Sequence, residues 1–206
     1  PDETLLECLV MNADPENEAD CYEFDLKTVT GYRKKILAAP IKDGKAVLEQ
    51  LAGQRREEAE DDDLDWAEEV LGEMEGGYDN CRFSCYWDSD TNMTYPLILA
   101  KIPVKNPWDI FAYLPFGNWN ECPDTPELMA AAKYWFEQYG AVPAAMTHDE
   151  LEFELPAPIS KEKAMEAATE QYGFCPDIVD QEQDDPTVGN LADVLWQSTV
   201  WYFWWD

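Results

Sequence analysis

The stretch STVWYFWWD (198–206) contains five consecutive aromatic side chains followed by a carboxylate. In an extended strand these side chains alternate between the two faces, so both faces would be large and apolar. A long exposed strand of this kind is an aggregation hazard. The stretch therefore predicts a C-terminal strand buried in a sheet, with a layer of structure on each side.

Helical and extended patterns alternate through the rest of the chain. Extended patterns cover 4–11, 21–26, 81–87, 95–104 and 142–155, the last being one long strand or, as we prefer, a hairpin that turns at His148 and Asp149. Helical patterns cover 30–38, a stretch from Asp43, 63–74, 106–117, 124–140, 160–172 and a stretch from Asp185. The fold class is thus α/β or α+β, with a mixed β-sheet flanked by helices. We expect an acidic N-terminal segment, 1–80, packed on the same domain as an α/β region, 81–206.

The helix over 124–140 has the clearest local signals. Asp124 and Glu127 have the spacing of a capping box, and Pro126 lies in the first turn. An apolar stripe that includes Leu128 and Trp135 follows, and Gly140 ends the pattern.

Charge limits the possible partners. The chain has 206 residues, with 44 acidic and 14 basic side chains and a formal net charge of −30. Such a surface repels phosphate backbones and anionic lipids, so we predict that the protein binds neither nucleic acid nor membrane. The excess of acidic side chains is consistent with a basic protein partner, with a bound cation, or with a role in solubility alone.

Cysteine usage and hydropathy point to the cytoplasm. The six cysteines are irregularly spaced and form no Cys-x-x-Cys pair, and a chain of this length can build a core without disulfides. No apolar run reaches the roughly 20 residues that a membrane span needs. No basic region followed by an apolar stretch indicates a signal peptide.

Three motifs resemble those of a bacterial family of uncharacterised proteins, the domain of unknown function 4253. They are LPFGNWNECPD (114–124), EQYGFCPDIVDQ (170–181) and WYFWWD (201–206). The resemblance covers about residues 80 to 206 and implies a cytoplasmic protein with no established activity. Asn118 stands where the family pattern has Gly, and Asn tolerates the left-handed backbone that Gly usually provides. We therefore expect the turn to be kept.

One motif offers a candidate thiol. Cys122 precedes a helix, and a helix N-terminus can lower the pKa of a thiol. Sheet topology would bring it near His148, with Asn120, Asp124 or Asp149 orienting the pair, as in acyl-transfer sites. However, Glu121 and Asp124 would raise the pKa of the thiol, and structural packing and capping explain the same residues.

Acidic side chains offer candidate cation sites. His148, Glu150, Glu152 and Glu154 would share one strand face, but a polar face in water explains that pattern without a ligand. The stretch DSDTNM (88–93) matches only the first ligands of a calcium loop, and a hairpin turn accounts for it better. We predict no metal site and no cofactor.

These observations leave several functions open. The favoured one is a non-catalytic interaction module, of the inhibitor, immunity or regulatory type, that docks a basic partner. Its predicted binding residues are Trp119, Asp177, Asp180, Asp184, Asp185 and Trp205. The alternative is a hydrolase or acyl-transfer enzyme that uses Cys122 and His148, or a metal held by carboxylates. A fold whose charge serves solubility only is a third possibility.

Overall fold

A computed structural model describes residues 3–13, 26–88, 91–182 and 185–206. Its α-helices are α1 (Glu3–Ala13), α2 (Leu26–Ala38), α3 (Gly44–Asp61), α4 (Ile110–Tyr113), α5 (Thr125–Tyr139), α6 (Lys161–Phe174), α7 (Asp177–Asp180) and α8 (Val188–Leu195). A π-helix covers Trp66–Leu71, and a 3-10 turn covers Pro107–Asp109. The strands are β1 (Trp87–Asp88), β2 (Met93–Thr94), β3 (Val142–Met146), β4 (Glu150–Glu154) and β5 (Val200–Trp204).

The protein has an α+β fold, which is one of the two classes that the sequence left open. One sheet has the order β3-β4-β5 and the other pairs β1 with β2, and all these pairs are antiparallel. β5 is buried as predicted, since Trp201 and Phe203 have no exposed surface and Val200 is 4% exposed. The indole of Trp135, on α5, stacks on Phe203 at 5.5 Å between ring centroids. Aromatic rings from α5 and the last strand therefore form the centre of the core.

Local capping signals fix the helices on which the core depends. The side chain of Asp124 accepts from the backbone N–H of Glu127, which completes the predicted capping box, and Gly140 ends α5 with a φ of 74°. Asp43 caps α3 in the same way, and Ser160 is the N-cap of α6. The hairpin between β3 and β4 is also confirmed, with its turn at residues 147–149.

Three strand predictions are wrong or lie outside the described residues. The stretch 4–11 is part of helix α1, because its apolar residues also fit a helical spacing and bury Leu9 and Val10. The stretch 95–104 forms no strand, and Leu99 is fully exposed. Pro96 and Pro103 explain this outcome, because proline cannot donate to a strand ladder. Most of the predicted strand 21–26 lies outside the described residues.

The predicted strand over 81–87 also differs from the structure. Residues 81–87 contribute only the first residue of the two-residue strand β1, which pairs with β2 as a small hairpin. This pairing agrees with the predicted hairpin, and residues 89 and 90 lie outside the described residues. In the described part of the chain, no helix combines the length and apolar character needed to cross a membrane.

The acidic N-terminal segment contacts the sheet-bearing part through α3, which packs against α5 and α6. The approach is close at Gly173, where an added Cβ would meet the backbone of Ala52. The boundary between 1–80 and 81–206 stays a prediction.

Candidate functional site

The three sequence motifs meet at the C-terminus. The side-chain amide of Asn120, from the first motif, donates to the backbone oxygen of Asp206. Asp177, from the second motif, accepts a hydrogen bond of 3.0 Å from the backbone N–H of Asp206. The Cys175 thiol donates to the backbone oxygen of Trp204 across 3.0 Å. The chain end is thus held between two Cys-Pro-Asp turns.

The first of these turns depends on left-handed backbone. Gly117, Asn118 and Asn120 have φ values of 80°, 61° and 47°. The Asn118 N–H donates to the backbone oxygens of Cys122 and Pro123, both at 3.1 Å. A Cβ at position 117 would collide with the backbone oxygen of Pro123. The expectation that Asn118 keeps the turn is therefore confirmed.

Helix α1 covers the same turn from outside the motif. The side-chain amide of Asn12 donates to the backbone oxygen of Gly117 at 2.7 Å and lies within 3.4 Å of that of Pro115. Asn12 is 4% exposed, so α1 fixes the conformation of the turn through buried hydrogen bonds.

Burial makes the Cys122 thiol a poor nucleophile. Cys122 is 5% exposed, and desolvation raises its pKa well above the usual value. Cys175 and Cys8 raise the pKa further, and the backbone of Asn118 lowers it. An activated cysteine has a lowered pKa, so this environment acts in the opposite direction.

The other residues of the predicted acyl-transfer site hold structural contacts. Asp124 caps α5, and burial raises its pKa. Asn120 binds the chain end, as described above. His148 lies on the hairpin turn with its Nδ1 atom 3.2 Å from the Asp149 carboxylate. The catalytic assignment stays a prediction.

The polar face of β4 is only partly in water, which corrects the expected solvated face. Glu152 has no exposed surface and accepts from the backbone N–H of Ser84 at 2.7 Å and from its hydroxyl at 2.9 Å. The backbone N–H of Cys85 adds a third hydrogen bond at 3.3 Å. Glu150 accepts from the hydroxyl of Tyr202, and Glu154 is exposed. The segment around residue 84 therefore covers this face.

Two acidic side chains, one near in sequence and one distant, pair with the same arginine. Arg55, on α3, lies 2.9 Å from the carboxylate of Glu58 and 2.7 Å from that of Glu121. Partial burial raises the pKa of Asp180, whereas a hydrogen bond from the Tyr172 hydroxyl and the charge of Arg55 lower it in part. We call Glu58, Glu121 and Asp180 with Arg55 the acidic surface. Sequence analysis missed the role of Arg55, because its partner Glu121 is 66 positions away.

The predicted binding residues have different positions. Asp180 is exposed, Asp177 and Asp185 are half-buried, and Asp184 lies outside the described residues. Trp119 is half-buried against the core, whereas Trp205 is 1% exposed and packs on Phe116. Trp205 therefore belongs to the interior, and the binding role of Trp119 stays a prediction. Within the described ranges, no group of three or more His, Cys, Asp or Glu side chains is arranged to hold a metal ion.

All three motifs contribute to the contacts at the C-terminus. A comparison with known families shows the family to which this part of the chain belongs. Residues 98–206, just over half of the chain, match the family described as Domain of unknown function (DUF4253). The chain belongs to the DUF4253 family. No curated protein matches the chain, and no solved structure does. The DUF4253 region contains both Cys-Pro-Asp turns and β5, whereas Arg55 contacts it from outside.

Proposed function

We propose that this DUF4253 protein is a non-catalytic interaction module whose acidic surface docks a basic protein partner. The observation that carries the proposal is that the carboxylates of Glu58 and Glu121 both pair with the guanidinium of Arg55, whose charge also acts on Asp180. Three carboxylates around one cation leave an excess of negative charge on an exposed surface.

The segment that includes Glu58 adds to this negative charge. Nine of the 13 residues from Glu57 to Glu69 are acidic, and all nine are exposed. Complementary charge of this density speeds association with a basic partner and selects against acidic ones. Because charge at an exposed surface is screened within about 8 Å at physiological ionic strength, docking would weaken as salt rises.

The described chain also exposes apolar side chains other than the tryptophans. Leu97, Ile98 and Leu99 are 63%, 67% and 101% exposed. Exposed apolar side chains in sequence are a feature of surfaces that bind other proteins. The raised pKa of Cys122 supports the interaction proposal over acyl transfer, because a protonated, buried thiol does not attack a carbonyl.

We further propose that the protein acts in a bacterial cytoplasm and binds neither nucleic acid nor membrane. Among the described residues, Cys81, Cys85, Cys122 and Cys175 form no disulfide bond, as expected in a reducing environment. The formal net charge of −30 opposes binding to phosphate backbones and anionic lipids.

The test is a pull-down from native cell extract with three tagged forms of the full chain. They are the wild type, the variant E121Q/D180N, and the matched control E75Q/E154Q, which removes two exposed charges elsewhere. We expect the wild type and the control to retain the same basic protein at 50 mM salt, and E121Q/D180N to retain at least fivefold less, a factor equivalent to about 1 kcal/mol. Raising the salt to 500 mM should release the protein from all three forms.

Two results would contradict the proposal. If no basic protein is retained at low salt, the acidic surface has no partner in the extract and charge serves solubility. If E121Q/D180N retains as much as the control, the docking surface lies elsewhere on the chain.

A further inference from the structure

Helix α2 is basic, in contrast to the rest of the chain. Its 13 residues contain four basic side chains and no Asp or Glu, whereas the whole chain has 44 acidic and 14 basic side chains. Val29 is buried on the side of α2 that packs against α1 and α4, and the guanidinium of Arg33 lies over an aromatic ring of α4. The other three basic side chains, Lys27, Lys34 and Lys35, are exposed. The protein therefore presents a basic helix face on an acidic surface.

The exposed lysines share one face of α2. Residues three and four positions apart are neighbours on a helix surface. Five exposed residues of α2 follow this spacing, and we call them the basic stripe: Lys27, Gly31, Lys34, Lys35 and Ala38. Leu26 and Leu37, beside the stripe, are 68% and 42% exposed. The outward face of α2 thus combines positive charge with apolar contact area.

The basic stripe has little to bind within its own chain. Among the described residues, Lys34 and Lys35 form no ion pair, whereas Lys42, just after α2, lies 2.9 Å from the carboxylate of Glu127. A Cβ added at Gly31 would meet no atom within 4 Å. Glycine weakens a helix interior but lets another backbone approach closely. The stripe therefore has the features of a surface that is open to a second helix.

A stripe of opposite charge lies on the solvent-facing side of α3. Glu57 and Asp61, one helical turn apart, are both exposed, and we call them the acidic stripe. Neither is in an ion pair with another residue of the described ranges. Gly53, one turn before them, also has no atom within 4 Å of an added Cβ, and Leu64, just beyond them, is 44% exposed. The acidic stripe thus resembles the basic stripe in form and is opposite to it in sign.

A second copy of the chain brings these charges together. When a two-fold axis relates two copies, each basic stripe can meet the acidic stripe of the other, so the contact forms twice. Free anions and phosphate polymers fit less well, because the net charge of −30 repels them from the surface as a whole. Two copies also repel each other, but salt screens this repulsion beyond about 8 Å, whereas opposite charges in contact are screened much less.

We propose that the basic stripe of α2 docks the acidic stripe of α3 from a second copy of this chain. The exposed Leu37 and Leu64 supply apolar contacts beside the two stripes. The inference does not rest on the proposed function, because it uses neither Arg55 nor the acidic surface.

The test is sedimentation equilibrium of the full chain over a range of protein concentrations at one ionic strength. We expect the wild type to form a reversible dimer. The variants K34E/K35E and E57K/D61K each reverse one stripe and should dimerise at least tenfold more weakly. An equimolar mixture of the two variants should recover dimerisation to within threefold of the wild type, because each reversed stripe then meets its opposite charge. All four substituted side chains are exposed, so the variants keep the fold.

Two matched controls separate docking from general repulsion between the chains. K101E/K105E changes the net charge as much as K34E/K35E does, and E75K/E154K changes it as much as the reversal of the acidic stripe does. All four positions are exposed, and both controls should dimerise to within threefold of the wild type.

Three results would overturn the proposal. They are a wild type that stays monomeric up to about 1 mM, controls that weaken dimerisation as much as the stripe variants, and a mixture of the stripe variants that stays monomeric. E121Q/D180N, which tests the proposed function, should dimerise like the wild type. Failure of one proposal is therefore distinguishable from failure of the other.

Discussion

The thiol of Cys175 donates a hydrogen bond to the backbone oxygen of Trp204, and the two groups are 3.0 Å apart. This contact joins the end of α6 to the end of β5, two elements that carry separate DUF4253 motifs. Cys175 has no exposed surface, and burial raises the pKa of its thiol. A thiol in this position stabilises the fold and does not react.

The first prediction concerns the reactivity of the cysteines. At pH 8, iodoacetamide should modify the exposed Cys81 at least tenfold faster than Cys122 or Cys175, because burial keeps the two latter thiols protonated. Peptide mapping by mass spectrometry measures each rate. In urea, all three sites should react at similar rates, which provides the control. Faster modification of Cys122 than of Cys81 in the folded protein would favour the acyl-transfer alternative.

The second prediction concerns β5. Deletion of 201–206 should abolish cooperative folding, because Trp201, Phe203 and Trp205 supply the rings that surround Trp135 and Phe174. Phe203→Ala should lower the free energy of unfolding by about 3–5 kcal/mol.

Trp204→Ala is the matched control, because Trp204 is half-buried on the other face of the same strand. Urea denaturation should show a smaller loss of stability for it than for Phe203→Ala. A truncated chain that still unfolds cooperatively near the temperature of the parent would show that β5 is not needed for the core.

The sequence predicted those elements whose signals are local. Asp124 and Gly140 directly flank α5, and the structure uses both as its caps. The large aromatic side chains on both faces of β5 indicated a buried strand, whatever the order of the strands in the sheet. The local pattern gave a wrong prediction at Leu99. A continuous apolar run indicated a strand there, but two prolines prevented pairing with another strand.

Contacts between distant segments could not be predicted in this way. Glu152 reads as a solvent-facing residue in an alternating strand, and its burial depends on Ser84, which lies 68 positions away. Gln171 is a polar residue on an otherwise apolar helix face, which was a usable signal for a buried polar site. Nothing in the spacing, however, indicates that its amide lacks a hydrogen-bond partner among the described residues.

The third prediction tests the buried carboxylate of Glu152. Glu152→Ala should lower the free energy of unfolding by about 1–3 kcal/mol, because the N–H groups of Ser84 and Cys85 would lose their acceptor. Hydrogen exchange at the Ser84 amide should also speed up, since its segment would detach from β4. The exposed neighbour Glu154 gives the control, and Glu154→Ala should change stability by no more than about 0.5 kcal/mol. Equal effects of the two substitutions would contradict the role given to Glu152.

The fourth prediction concerns pH. Burial raises the pKa of Glu170, although the Trp135 indole and the Tyr134 hydroxyl both donate to its carboxylate and lower the pKa in part. A raised pKa in the folded state means that the fold holds its proton more tightly than the unfolded chain does. Stability from this group is therefore complete below the unfolded pKa and is lost as pH rises through the folded pKa. Burial raises the pKa of Asp124, Glu150 and Asp180 too, so their effects have the same sign.

We therefore expect the melting temperature to rise as the pH is lowered from 7.5 to 5.0 at constant ionic strength. Glu170→Gln should reduce this rise, because the substituted group does not titrate, whereas Glu75→Gln at an exposed position should leave it unchanged. Differential scanning calorimetry of the three forms across this range provides the measurement. A rise of the same size in all three forms would assign it to relief of the net charge of −30 rather than to the buried carboxyl of Glu170.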